Sequence, residues 1–158
     1  MEHDEVRDKL AEYLRKYKET PVAPDDATVE VEKPISIPGR SGRRPDVRLD
    51  ADIKGYQGLA FEVKTQETGR TALTVARQMA DDLRGDYQPV FVSPGWIFAD
   101  GERRCQNHSD FTLKNVIRSQ GGKVLEVVSP SPIRFSPYSI IPELDAPGLG
   151  DFFTRTTL

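Results

Sequence analysis

Residues 43–66 read RRPDVRLDADIKGYQGLAFEVKTQ. Two runs in this stretch, PDVRLDADI and LAFEVKTQ, carry strand-type patterning, and the turn residues of KGYQG lie between them. That arrangement predicts two strands joined as a hairpin. Asp46 stands at the beginning of the first strand, and Glu62 and Lys64 lie in the second. Side chains alternate faces along a strand, so Glu62 and Lys64 share one face while Phe61 and Val63 point to the other. Hairpin pairing carries Asp46 across from Glu62, sixteen residues away in the chain. Three charged groups are therefore expected at one rim of a sheet. A Glu–x–Lys triplet, or a proline before an aspartate, is ordinary by itself. The joint pattern gains weight from Leu59, Ala60, Phe61 and Val63, which mark a core strand where unpaired charge is costly.

Upstream of the hairpin, Val6, Leu10, Tyr13, Leu14 and Tyr17 recur at helical spacing within residues 4–18, which predicts an amphipathic opening helix stopped by Pro21 and Pro24. Residues 27–37 (ATVEVEKPISI) alternate and predict a strand broken or bulged at Pro34, followed by the Gly- and Arg-rich turn PGRSGRR. Downstream, Leu73, Ala76, Ala80 and Leu83 define the expected buried stripe of a helix over residues 71–85, closed by Gly85. QPVFVS reads as a buried central strand. Residues 95–108, with Trp96–Phe98, read as a loop or short hairpin. Asp110 suits the cap of a helix carrying Leu113, Val116 and Ile117 and ending at Gly121–Gly122. KVLEVVS is the last clear strand, and residues 130–150, with five prolines, read as an extended tail packed over the body.

The resulting order, α-β-β-β-α-β-α-β, predicts an α/β fold: a mixed central β-sheet flanked by helices. A chain of 158 residues suits a single domain, with a core over about 4–128 and a Pro-rich extension over 129–158. Hydrophobic residues make up 37% and charged residues 30%, a folded and soluble composition. No apolar run approaches the roughly 18–20 residues of a membrane span, and the opening MEHDEVRDKL is charged throughout. Neither a signal segment nor an anchor is expected, and the cytoplasm is the expected compartment. The lone Cys105 has no disulfide partner in the chain and is expected to be a bystander thiol.

The net charge of −3 and pI of about 5.5 weigh against tight, non-specific DNA binding, because proteins that grip phosphates tend to be basic. A cluster of carboxylates awaiting cations contributes negative charge of its own, so the balance excludes little. His3 and His108 stand isolated and read as surface residues. There is no His–x–x–x–His, no Ser–His–Asp set and no Gly-rich nucleotide loop in the sequence.

Asp46, Glu62 and Lys64 together form a set suited to phosphodiester hydrolysis. Two carboxylates and the Val63 carbonyl are hard oxygen ligands, which favour Mg²⁺, with Mn²⁺ expected to substitute, over zinc. A lysine beside them would orient the attacking water or stabilise charge growing on the phosphorus centre. If Asp46 and Glu62 converge without a cation, their mutual repulsion should raise at least one carboxyl pKa, and removing either charge should stabilise the metal-free protein.

Pro45–Asp46 followed by Glu62–Val63–Lys64 resembles the signature of the PD-(D/E)xK, or restriction-endonuclease-like, nuclease superfamily. Its members share a helix, a three-strand meander, a helix and a strand, an order matched here over residues 4–93 and continued over 109–128. The resemblance implies a metal-dependent DNA endonuclease with Asp46 and Glu62 as metal ligands and Lys64 as the catalytic lysine. Members often add an acid from the first helix, for which Glu2 and Glu5 are the candidates, and some add a glutamine, for which Gln66 and Gln78 are. Arg40, Arg43 and Arg44, interleaved with Gly39, Ser41 and Gly42, form a basic loop suited to phosphate contact. So small a chain has few recognition elements, so a homodimer or a partner subunit is expected to complete the site. The alternative is a non-catalytic nucleic-acid-binding or assembly module on the same fold.

Overall fold

The computed structural model describes residues 2–39, 42–65, 71–94, 117, 121–137 and 144–158. In chain order these residues form helix α1 (His3–Tyr17), strands β1 (Thr28–Val31), β2 (Val47–Ile53) and β3 (Tyr56–Val63), helix α2 (Thr71–Arg84), strands β4 (Tyr87–Pro94), β5 (Lys123–Pro130) and β6 (Ile133–Pro137), and helix α3 (Leu149–Arg155). All six strands join one mixed sheet in sequential order. β1, β2 and β3 form an antiparallel meander, β3, β4 and β5 run parallel, and β6 returns antiparallel to β5. The α/β class and the opening helix–meander–helix–strand order follow the sequence reading. Among the described residues no helix is long and apolar enough to cross a membrane.

The β2–β3 hairpin is tighter than KGYQG suggested. Its turn is Lys54–Gly55 alone, both at positive φ (52° and 86°), the geometry that matches the twist of a two-residue hairpin. Tyr56 already pairs with Ile53, and a bulge between Asp50 and Ile53 absorbs the extra residue. A Cβ at Gly58 would lie 2.0 Å from the Leu49 carbonyl oxygen, so the strands can approach this closely only at glycine. The resulting register sets Val47 against Phe61 and Leu49 against Leu59. Those residues face α1, whose predicted stripe of Val6, Leu10, Tyr13, Leu14 and Tyr17 is fully buried against them.

Three expectations are corrected. The break after β1 falls at Glu32, whose φ of 51° turns the chain, rather than at Pro34; Ile35 then makes a single bridge to Arg43. On α2 the buried side chains are Val75, Met79 and Asp82, not the stripe through Leu73, which is 46% exposed. Ala76, Ala80 and Leu83 are half-buried. A purely apolar count misplaces the face because a carboxyl group lies at its centre. The segment after β5 is not an extended tail, since Ile133 and Phe135 alternate inward on β6, and Leu149 and Phe153 from α3 enter the main core. The helix expected from Asp110 lies outside the described residues except for Ile117, which is helical and buried; Cys105, His108 and the loop over 95–108 lie outside them too.

α3 is held by the tyrosines of α1. Tyr13 packs edge-on against Phe135 at 5.3 Å and against Phe152 at 6.3 Å, and Phe153 lies 5.7 Å away. The Tyr17 hydroxyl donates to the Pro147 carbonyl at 2.6 Å, and the Tyr13 hydroxyl accepts from the Leu158 amide at 3.1 Å. Truncating Phe153 to alanine is therefore expected to cost about 3–5 kcal/mol in urea denaturation, the range for a buried aromatic. A loss below about 1 kcal/mol would show that α3 is a loosely docked appendage.

Candidate functional site

Asp46 lies one residue before β2, and continuing the β2–β3 register places it opposite Glu62. Its position is fixed from two sides. The Val63 amide donates to Asp46 Oδ2 at 2.7 Å, and the Glu32 amide donates to the Asp46 carbonyl at 3.1 Å. Asp46 Oδ1 lies 3.1 Å from His3 Nε2, which brings the first turn of α1 to the hairpin rim. Lys64 follows β3, and its amide donates to the Val92 carbonyl at 2.8 Å, extending the pairing with β4 past the strand end.

These residues open onto a cleft of about 460 Å³ that Glu2, Arg44, Val63, Thr65 and Gln78 also line. Asp46, Glu62 and Lys64 are thus brought together as the sequence implied. Arg44 is exposed at the cleft edge. Of the two first-helix acids, Glu2 lines the cleft, whereas Glu5 is exposed and takes no part in it. Gln78 reaches the cleft with its Oε1 buried and without a hydrogen-bond partner. Arg40 and Gln66 lie outside the described residues.

Arg43 departs most from the sequence reading. Instead of waving in a basic loop, its guanidinium turns inward and donates from Nη2 to Glu62 Oε1 at 2.6 Å. Its Nε lies 3.6 Å from Oδ1 of Asp82, a fully buried carboxyl on α2. Glu62 itself is 3% exposed, on the face of β3 opposite Phe61 and Val63. Sequence reasoning missed Asp82, His3 and Thr65. The signal for Asp82 was its i, i+3 and i+7 spacing from Met79 and Val75, which puts it on their face of the helix. His3 carried no signal, because the register of α1 against the hairpin is a tertiary matter.

Burial raises the Glu62 pKa, and the Arg43 guanidinium and the nearby Asp82 carboxyl work against that rise. The Asp82 pKa is also raised, to about 10, by burial and by the Glu62 charge and hydrogen bond. With both groups ionised, Glu62 Oε2 and both Asp82 oxygens would be buried without a donor. One proton on this pair of carboxyl groups supplies that donor and leaves a single negative charge for Arg43 to balance. The repulsion expected between Asp46 and Glu62 is present but minor beside burial and the Asp82 carboxyl. Removing the Glu62 charge is consequently not expected to relieve strain, because it would leave Arg43 buried without its partner. Burial also lowers the Lys64 pKa, while Glu62 and Asp46 hold it up.

The groups chemically suited to a divalent cation are the Asp46 and Glu62 carboxylates, the Val63 carbonyl and the partnerless Gln78 Oε1, all hard oxygens. They fit such an ion in kind, although among the described residues no three His, Cys, Asp or Glu groups stand assembled for one. No family model matches the chain, and neither a curated protein nor a solved structure matches it.

The raised Asp82 pKa has a definite consequence for stability. Above its ordinary value of 3.8 the unfolded chain releases a proton that the folded chain retains, so this contribution is fully present at lower pH and is lost as pH rises. One such proton tilts stability by up to about 1.4 kcal/mol per pH unit. In EDTA, Asp82→Asn keeps a donor for Glu62 without a titrating proton. Its melting temperature should fall less than that of wild type between pH 5 and 8, and the two curves should diverge as pH rises. Parallel curves would mean that Asp82 is ionised in the folded protein.

Proposed function

We propose that this chain is a metal-dependent nuclease of the PD-(D/E)xK type, hydrolysing phosphodiester bonds in DNA. The observation that carries the reading is the meeting of Asp46, Glu62 and Lys64 at one cleft through the β2–β3 register. The helix–meander–helix–strand order with β4 parallel to β3 supports it as well. Asp46, Glu62 and the Val63 carbonyl would hold Mg²⁺ or Mn²⁺, which when bound supplies Lewis acidity to the phosphate and acidifies the attacking water.

The remaining work falls to the protein. The Val63 amide holds one Asp46 oxygen, and His3, which lines the cleft, lies 3.1 Å from the other. Lys64, cationic beside two carboxylates and partly desolvated, orients the attacking water or stabilises negative charge growing on the phosphate oxygens. Arg44 at the exposed edge contributes a phosphate contact that positions the backbone without reading sequence. The cleft offers little surface for recognition, so a second copy or a partner subunit completes the DNA-binding face in this reading, and the cytoplasm is its expected setting. A non-catalytic nucleic-acid-binding module is the alternative, and the Arg43–Glu62 ion pair favours it, because a guanidinium there already satisfies one of the carboxylates.

Cleavage of linear, supercoiled, single-stranded and branched DNA in Mn²⁺ tests the reading. Lys64→Ala should lower the rate by at least about 10²-fold, comparable to loss of one transition-state donor, while folding and Mn²⁺ binding persist. A wild-type rate in Lys64→Ala would remove Lys64 from the mechanism, and no Mn²⁺-dependent cleavage of any substrate would favour the binding module. Arg44→Ala should flatten the log–log dependence of DNA affinity on salt by about 0.9, the value of one duplex phosphate contact. An unchanged slope would leave Arg44 merely solvated.

A further inference from the structure

Arg43 is anchored in its backbone and held in its side chain by a single hydrogen bond. Its amide and carbonyl both pair with Ile35, at 3.2 and 2.7 Å. A Cβ at the preceding Gly42 would lie 2.7 Å from the Ile35 carbonyl oxygen, so the chain is pinned there. The guanidinium, by contrast, is held by one arm. Nη2 bonds Glu62 Oε1, whereas Nε is buried with no hydrogen-bond partner and only an ion-pair distance from Asp82. A two-pronged arginine–carboxylate fork would be firmer. With 21% of its side chain exposed, Arg43 lines the same cleft as Asp46 and Lys64.

We infer that Arg43 is a displaceable internal cation, which holds Glu62 while the site is empty and gives up that carboxylate to an incoming divalent ion. The inference rests on the nuclease reading and specifies how its metal site is regulated. A guanidinium and a dication on one carboxylate repel each other, so the two occupants exclude one another. Asp46 and Glu62 together balance a dication. Loading the ion therefore releases a positive charge into the cleft, where a backbone phosphate is its natural partner. Because the apo protein spends its time with Glu62 occupied, apparent metal affinity is reduced by the fraction of molecules in which Arg43 has swung away.

Calorimetric titration with Mn²⁺, without DNA, tests this on wild type, Asp46→Ala, Arg43→Gln and Arg43→Met, each first checked for folding by its melt in EDTA. Wild type should bind one ion that Asp46→Ala loses, and at least one uncharged Arg43 variant should bind it about tenfold more tightly. The ¹⁵N resonance of Arg43 Nε gives a readout that needs no Arg43 variant: it should move when Mg²⁺ is added to wild type and stay still in Asp46→Ala. If Asp46→Ala loses the site but neither Arg43 variant gains affinity, or if the Nε resonance stays still at saturating Mg²⁺, the inference is overturned and the metal site stands. If wild type binds no ion, or Asp46→Ala binds as well as wild type, the metal-site reading falls and takes this inference with it.

Discussion

The Arg43 guanidinium lies against Glu62 and Asp82, two carboxyl groups that folding has removed from water. Two carboxyl groups so close in a desolvated volume raise each other's pKa or need a counter-charge, and the Arg43 guanidinium supplies that charge. That requirement reaches outward through the molecule. It reaches α2, whose buried face carries Asp82 beside Val75 and Met79. It draws the loop before β2 inward, so that a residue of the basic segment becomes part of the interior. It also determines that Glu62, on an otherwise apolar strand, remains compatible with a folded protein at neutral pH.

The opposite face of the sheet has no such conflict. Leu49, Phe61 and Val63 pack with the apolar stripe of α1, and α3 closes the far side through an aromatic cluster around Tyr13 and Tyr17. Both faces bury apolar residues, but the face toward α2 also carries the buried polar groups that cost stability and hold chemistry. β3 belongs to both, since its period-two alternation directs Phe61 and Val63 to the first and Glu62 to the second. The proposed active centre sits at the end of that strand, where the hairpin rim, the first turn of α1 and α2 meet.

Much of this was legible locally. The stripe on α1, the existence of the β2–β3 hairpin, the buried β4 and the facing of Asp46 and Glu62 follow from periodicity and turn chemistry, which act over a few residues. Where the reading failed, the deciding contact was distant in sequence. The buried face of α2 follows from Asp82 meeting residues of β3 and the loop before β2, and no apolar count ranks a carboxylate as a core residue. β6 and α3 were obscured by prolines, which lower local propensity but do not prevent packing of Phe135 and Phe153 once a tyrosine-lined surface waits for them.

The sequence by itself determined the α/β class, the order of the opening elements and the opposition of Asp46 to Glu62, because hairpin register and side-chain alternation are properties of the local backbone. Only the tertiary structure decided that Arg43 turns inward, that Asp82 is buried beside it, that His3 reaches Asp46 and that Glu5 stays outside. Each of those depends on how a helix or loop is rotated against the sheet, and that rotation is set by desolvation and charge balance summed over residues far apart in the chain.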